Sequence, residues 1–372
     1  MKKLAKKLAA FALLIAALGF TACEEELIEG TPELTVSTNL ILADGKEELA
    51  LKVTVNGEDV TKYARFFVNN LLHNGITFTT ATPGNYTIYA EYNKQQTNSI
   101  LVKAIDTRLY AEVPADTCAN QFDNFAHKVL FTQATGTWCG YCPYMIRAIE
   151  LFREEQSNAD KVVVVATHSG DNLSCKASEA VVKQCRITSF PTCAFNLNYE
   201  SQVTNSDPTI NAANINSKAN MELKEEARVG IAATSKVAGT KVSVHAAVKV
   251  GVSGAYRINA WLVEDDVEDV QSNYTALYGG NSSVVIEHDF VLRDASSTTP
   301  IFGELLGSKQ ECAAGETLEF YHEFDGKKAG IRNVANCKVV VLVSAQLEGS
   351  TRFAVNNVIE LSAGDKVGFA YK

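Results

Sequence analysis

Residues 135–143 read TGTWCGYCP: two cysteines two residues apart, behind a tryptophan and ahead of a proline. Such a pair can be a redox couple, half of a metal site or a structural disulfide, and its surroundings decide which. Upstream, KVLFTQ (Lys128 to Gln133) has the β-branched and aromatic content of a strand. Downstream, Met145, Ile149 and Phe152 recur at helical spacing with Ile146 beside them, while Arg147, Arg153, Glu154 and Glu155 fall mainly on other faces. KVVVVATH (Lys161 to His168) follows. Four consecutive valines mark a strand buried on both faces, as in a parallel sheet covered by helices. Strand, helix, strand in this order predicts a βαβ unit with the cysteines at the start of its helix.

A helix start presents unpaired N–H groups and a partial positive charge, which favour a thiolate. Cys139 is therefore the candidate nucleophile, and Cys142, one turn in, the candidate resolving thiol. Thiol–disulfide exchange needs both roles: attack through a mixed disulfide, then escape by the second thiol. Pro143 is tolerated because first-turn N–H groups lack helical partners. A structural zinc site wants four Cys or His ligands at recognisable spacing, and neither a second CxxC nor a nearby His pair is present, so no metal is expected. A two-residue loop gains little from a purely structural crosslink. His127 and His168 lie near the pair, where either could tune Cys139 or serve as an ordinary hydrogen-bonded group. No nicotinamide or flavin motif is visible, so no cofactor is expected.

The N-terminus sets the compartment. Lys2, Lys3, Lys6 and Lys7 precede a nearly unbroken apolar run from Leu8 to Phe20, the order of a secretory signal. The run is short of the about 20 residues that span a bilayer. FTAC, ending at Cys23, resembles a bacterial lipobox with Phe20 in place of the usual Leu, and implies lipidation of Cys23 after cleavage of residues 1–22. Glu24, Glu25 and Glu26 open an acidic tether, 23–30, that resembles the surface-export signal of Bacteroidetes lipoproteins. The expected location is thus the outer membrane, through a lipid anchor, with exposure at the surface. Removing the four leader lysines takes the formal charge from −9 to −13. That balance argues against nucleic acid as a partner.

Eight cysteines remain beyond Cys23, an even number in a compartment that permits disulfides. Cys312 and Cys337, alone in the last third, are expected to bridge each other. Cys185 and Cys193 flank Pro191 and are expected to form a structural bridge there, the alternative being a second exchange pair, while connectivity among Cys118, Cys175, Cys185 and Cys193 stays open. Residues 31–110 alternate in short runs broken at Asp44-Gly45, Asn56-Gly57 and Pro83-Gly84, and predict an immunoglobulin-like β domain. Residues 111–226 hold the βαβ unit, a short helix over Lys176 to Gln184 and a closing helix after Asp207-Pro208. Residues 227–372 offer seven strand candidates, at 228–235, 241–250, 256–263, 284–292, 317–324, 338–345 and 354–361, and predict a C-terminal β-sandwich. VEDDVEDV (263–270) lacks the spacing of a calcium loop and reads as a solvated acidic loop.

WCGYC on a βαβ unit, with SFPT (189–192) downstream, resembles the thioredoxin superfamily. The resemblance implies a multidomain chain with a central α/β thioredoxin-like domain. It also implies a cis peptide at Phe190-Pro191 facing the cysteines, with Pro191 positioning a substrate backbone. Phe190, Thr192, Trp138 and Tyr141 become candidate substrate contacts. Gly140-Tyr141 is similar to the dipeptide of periplasmic disulfide isomerases, whereas Gln133 stands where thioredoxins keep a buried Asp. With HDFVLR and NCKVVVLV in the C-terminal third, the layout is similar to the outer-membrane-protein-twenty-eight-related lipoproteins of Bacteroidetes over roughly 115–372. The expected function is thiol–disulfide exchange on exported, cysteine-containing proteins. The alternative is a non-enzymatic surface lipoprotein whose β domains bind a host or glycan ligand, with the thioredoxin fold as scaffold.

Overall fold

The computed structural model describes residues 28–204 and 207–372. The expected leader, Cys23 and Glu24 to Glu26 lie outside the described residues. The chain forms two compact units. Among the described residues, one draws on 28–37, Glu48–Phe78 and Tyr86–Val102, the other on Thr38–Glu47, Thr79–Asn85 and residues from Lys103 onward.

The first unit is built of short strands. Pro32–Val36 pairs antiparallel with Leu49–Val55, and the two-residue side-chain period buries Leu34, Leu49, Leu51, Val53 and Val55. Asn56 and Gly57, both at positive φ, close a two-residue turn onto Glu58–Asp59. Asn-Gly suits that turn because both central residues must adopt a left-handed conformation. Arg65–Val68 pairs with the end of Gly84–Tyr92, where Ile88, Ala90 and Tyr92 are buried in alternation.

In the second unit the motif strand, Val129–Thr135, lies at the centre of a sheet and is buried throughout. It runs parallel to Val162–His168 and antiparallel to Thr192–Phe195, which continues antiparallel to Asn198–Thr204. The motif helix, Cys142–Glu155, connects the two parallel strands. It shares one face of the sheet with the helix Pro208–Glu222, where Met145, Ile149 and Phe152 meet Val129, Phe131, Val162 and Val164. The helix Lys176–Gln184 covers the other face over Leu130, Val163 and Val165. Consecutive valines therefore serve two cores.

This sheet does not stop at the second parallel strand. Val291–Ala295 joins its edge, with Ala166 opposite Val291, and Tyr256–Glu264, Cys337–Gln346 and Phe353–Ser362, with the short Glu304–Leu305 beside Tyr256–Glu264, extend the same sheet to nine strands. A four-stranded sheet made by Thr317–Asp325, Lys241–Val250, Val229–Ala238 and Lys366–Val367 packs against the extension through a shared core that includes Val244, Phe320, Leu262 and Val341. The molecule is thus β-rich and multi-sheet, and the boundary expected at 226 falls inside one compact unit.

Three expectations are corrected. Residues 284–292 are not one strand: Ser283–His288 and Val291–Ala295 are separated where Phe290 takes a positive φ. The 263–270 stretch is not a solvated loop. It ends one strand and begins another, Val267–Ser272, which pairs with Ser283–His288 as a two-stranded hairpin. Three of its five acids are in ion pairs: Glu264 with Arg293, Asp265 with Lys338 and Asp269 with Arg332.

The disulfides also differ. Cys312 and Cys337 are free and buried. Gly254 bridges Cys312 before one end of Tyr256–Glu264, and Glu264 pairs with Cys337 at the other. At roughly 3.3 Å per residue that strand holds the two about 30 Å apart, against about 5.5 Å for disulfide-bonded Cα atoms. Each sulfur lies instead by a backbone carbonyl, Leu306 for Cys312 and Asn333 for Cys337. Cys185 and Cys193 are likewise free, because they serve cores on opposite faces of the sheet. Burial pushes the Cys185 thiol up to about 12 and that of Cys193 upward as well, so neither is poised for exchange.

Candidate functional site around Cys139 and Cys142

Cys142 is the first residue of the motif helix and is fully buried. Cys139 lies three residues earlier, in the turn that leaves the motif strand, and the two are disulfide-bonded with their Cα atoms 5.4 Å apart. The turn is closed by Cys139 N–H donating to Gly136 O and Cys142 N–H donating to Cys139 O. Tyr141 caps the helix without a side-chain bond, Pro143 in its first turn has no N–H, and the Cys142 and Tyr144 amides donate to Cys139 O and Tyr141 O, so what the pair receives from the helix is the partial positive charge of its first turn. Cys139 is only 5% exposed.

Four elements converge on this turn. The first is the loop carrying the Phe190-Pro191 peptide, which is cis. Trp138 reaches it with its ring edge-on to Phe190, centroids 5.3 Å apart, and remains half exposed. Thr192 does not present its side chain to an incoming chain: it is buried, and its hydroxyl donates to Ser189 O at 2.8 Å. Tyr141 is exposed and stacks edge-on against Tyr274 at 5.7 Å.

The second element is the loop after Val162–His168. His168 Nδ1 lies 2.7 Å from Asp171 Oδ2, and both residues are buried. The same carboxylate oxygen accepts the Thr137 amide at 2.8 Å, and the Trp138 indole donates to Ser169 O at 2.8 Å. Burial would raise the Asp171 carboxyl, but the bond and charge of His168 and the amides of Thr137 and Leu173 hold it below its usual value. His127 has no part here. It precedes the opposite end of the motif strand, about eight residues or roughly 26 Å away, and is buried there.

The third element is the hairpin Val267–Ser272 with Ser283–His288, which sequence reasoning missed. Ser272 N–H donates to Thr137 O and Tyr274 N–H to Gly140 O, both at 2.7 Å. Gln271 is fully buried. Its Nε2 lies 2.9 Å from Cys139 O and 3.3 Å from both Gly136 O and Thr137 O. The Tyr274 ring lies flat on Gly140, where a Cβ would come within 2.2 Å of it. Only glycine fits the second position of the motif. The alternation of Val267, Asp269 and Gln271 along one face was the available signal, but the acidic run around it masked the pattern.

The fourth element is a cavity of about 210 Å³ between the motif helix, the sheet and the end of the hairpin. Gln133, Thr135 and His168 line it from the sheet and His288 from the hairpin. His288 faces His168 with ring centroids 5.1 Å apart, and burial, reinforced by His168, pushes it down to about 4. Among the described residues no His, Cys, Asp and Glu group could hold a metal ion. The arrangement is a cysteine pair at a helix start beside a buried His–Asp pair, ringed by exposed aromatic side chains.

The family model for outer membrane protein Omp28 matches residues 178–366, just over half of the chain. The chain belongs to the Omp28 family. Membership puts it at the outer membrane, and no helix among the described residues is long and apolar enough to cross a membrane. The Omp28 match contains Pro191, Gln271 and His288 and leaves Cys139 and Cys142 outside it. In fold the chain is similar to HBP35 of Porphyromonas gingivalis, with 18% identity and a TM-score of 0.51 over 65% of this chain and 76% of that one. A domain of the outer membrane lipoprotein Omp28 from the same organism is 15% identical over 37% of this chain and 89% of its own, with a TM-score of 0.23. No curated protein matches the sequence.

Proposed function

We propose that this Omp28-family chain is an outer-membrane lipoprotein, anchored through Cys23, that carries out thiol–disulfide exchange on exported proteins bearing cysteines. Residues 111–226 form its thioredoxin-like part, 31–110 an immunoglobulin-like spacer, and 227–372 a β-sandwich that shares the catalytic sheet. The observation that carries the reading is the disulfide-bonded pair at a helix start, joined through Trp138 and Phe190 to the loop of Pro191. The other described cysteines are free.

In the reduced chain the Cys139 thiolate attacks a substrate disulfide. One substrate sulfur leaves as thiolate and the other stays bonded to Cys139. Cys142, as thiolate, then attacks Cys139 Sγ, restores the internal disulfide and releases the second substrate sulfur. Run backwards, the same steps oxidise a dithiol. Trp138, Tyr141, Phe190 and Tyr274 supply an apolar rim, and Pro191 lies where a substrate backbone would run.

Alkylation after mild reduction tests the reading. Labelling of Cys139 well below pH 7, together with a reduction potential in the range of exchange enzymes, supports it. Labelling no faster than that of a free thiol, with a potential below about −300 mV, overturns it. The alternative, a binding lipoprotein that keeps the fold as scaffold, is favoured by one observation: Leu71, Leu72 and Ile76 are exposed close together in the first unit's sequence.

A further inference from the structure

The cavity under the motif helix carries a second assignment, which rests on the thiol–disulfide reading. Four polar atoms of its lining residues are buried without a hydrogen-bond partner in the protein: Gln133 Nε2, Thr135 Oγ1, His168 Nε2 and His288 Nε2. Each of these residues is more than nine-tenths buried. Folded proteins tolerate few such groups, and several around one cavity mark a functional or hydrated site. The space is polar and roomy enough for bridging waters.

A buried thiol resists ionisation, as the free Cys185 illustrates. Cys142 is fully buried and must nevertheless become a thiolate to resolve a mixed disulfide. Gln133, on the strand under the helix, cannot accept its proton. Cys142 is not itself in the cavity wall; the first helix residue that is, Ile146, lies one helical turn from Cys142 on the same face, a span that water can bridge. His168 reaches the same space. Its Nδ1 is held by Asp171, which fixes the ring and leaves Nε2 as the free ring nitrogen. Asp171 also fixes the Thr137 amide, so the His–Asp pair moves with the turn that carries Cys139.

We propose that His168, held by Asp171, is the proton acceptor for Cys142, acting across the cavity through water. In the mixed disulfide, the Cys142 proton passes by water to His168 Nε2. The Cys142 sulfur bonds to Cys139 Sγ, the bond from Cys139 to the substrate sulfur breaks, and its electron pair leaves with the substrate. The released substrate thiolate takes a proton from solvent, and His168 later returns its own to solvent. Other charges facing the cavity are Glu150, Glu154 and Arg153 on the helix and Glu287 and Asp289 beside His288.

The test uses the reduced full chain and an aromatic disulfide, dithio-bis-nitrobenzoate, followed by stopped flow. Attack by Cys139 releases a first nitrothiobenzoate and resolution by Cys142 a second. In His168→Gln the first phase stays as in the wild type and the second slows about 100-fold near neutral pH. A carboxylate placed in the same cavity, in His168→Gln with Gln133→Asp, restores most of the second phase. A folded His168→Gln variant with an unchanged second phase overturns the proposal and leaves the exchange reading standing. Should His168→Gln not fold, the wild type still decides. The second-phase rate must rise over the pH range in which NMR sees the His168 ring lose its proton, and a mismatch overturns the assignment. Absence of any fast first phase in the reduced wild type sinks the exchange reading, and this proposal with it.

Discussion

Gln271→Met removes a carboxamide from beneath the cysteine turn while keeping its bulk. The Gln271 side chain is fully buried, and its Nε2 has Cys139 O at 2.9 Å, Ser272 O at 3.0 Å, and Gly136 O and Thr137 O at 3.3 Å as acceptors. An amide has two N–H groups, so at most two of these bonds are good at once, together worth about 2 kcal/mol. None of the three turn carbonyls is orphaned by the change: Gly136 O keeps Cys139 N–H, Cys139 O keeps Cys142 N–H and Thr137 O keeps Ser272 N–H. The lost carboxamide also removes Oε1, which is buried without a partner and offsets about 1 kcal/mol. The net global loss is therefore small, about 1 kcal/mol. The local effect is larger in kind, because the turn that screens Cys139 loses its side-chain tie to the hairpin and keeps only the amide bonds of Ser272 and Tyr274. Urea unfolding of the oxidised chain reads the first quantity, and the rate of disulfide reduction by a small phosphine reads the second. The expected outcome is a slightly lower midpoint with clearly faster reduction. A loss above about 3 kcal/mol, or an unchanged reduction rate, would show that Gln271 does not hold the turn as argued.

Gly140→Ala places a Cβ inside the Tyr274 ring and costs about 1–3 kcal/mol, and Tyr274→Ala in the same chain recovers most of it, as a double-mutant cycle by thermal unfolding would read. Lys249→Met strands Asp116, which lies 2.6 Å from the almost fully buried Lys249 Nζ, and removes bonds to Cys118 O, Ala119 O and the Tyr371 hydroxyl; a loss of about 3–5 kcal/mol in denaturant is expected, and one below about 1 kcal/mol would make the pair an ordinary surface contact. Acid weakens the fold through His288. Its folded-state value of about 4 lies below the about 6.5 of an unfolded chain, so its contribution is complete above pH 6.5 and lost as pH falls, by about 3 kcal/mol at pH 4; His288→Gln should flatten that part of the stability–pH curve.

Much of the cysteine site was legible because its parts are local. The KVLFTQ strand, the helical spacing from Met145 to Phe152 and the valine run are periodic signals within one βαβ unit, and that unit is present as a parallel pair bridged by a helix. Six of the seven C-terminal strand candidates likewise match strands within a few residues. The local misses are few, such as the break at Phe290, and the larger ones are relations between distant segments. Cys312 and Cys337 look like partners when counted along the chain, but the pairing of Tyr256–Glu264 with Cys337–Gln346 carries them to opposite ends of one strand. The hairpin was hidden because Asp265, Asp266, Glu268 and Asp269 read as solvent-facing. The pairing of Asp265 with Lys338 and of Asp269 with Arg332 depends on residues more than sixty positions away.

That non-local component changes what counts as the site. The Omp28 match takes in the hairpin and the Pro191 loop, whereas the cysteines precede it. Yet Ala166, on the strand beside the motif strand, donates its N–H to Phe290 O at 2.7 Å, and the Thr137 and Gly140 carbonyls spend themselves on hairpin amides. Residues 111–226 cut out alone would expose the edge of Val162–His168, leave those carbonyls to water and open the cavity on its His288 side. An unpaired edge strand invites aggregation or exchange. The cysteine turn and the C-terminal sheets therefore behave as one folding unit, and substitutions in the hairpin, more than a hundred residues downstream, should alter the reactivity of the cysteine pair before they alter those sheets.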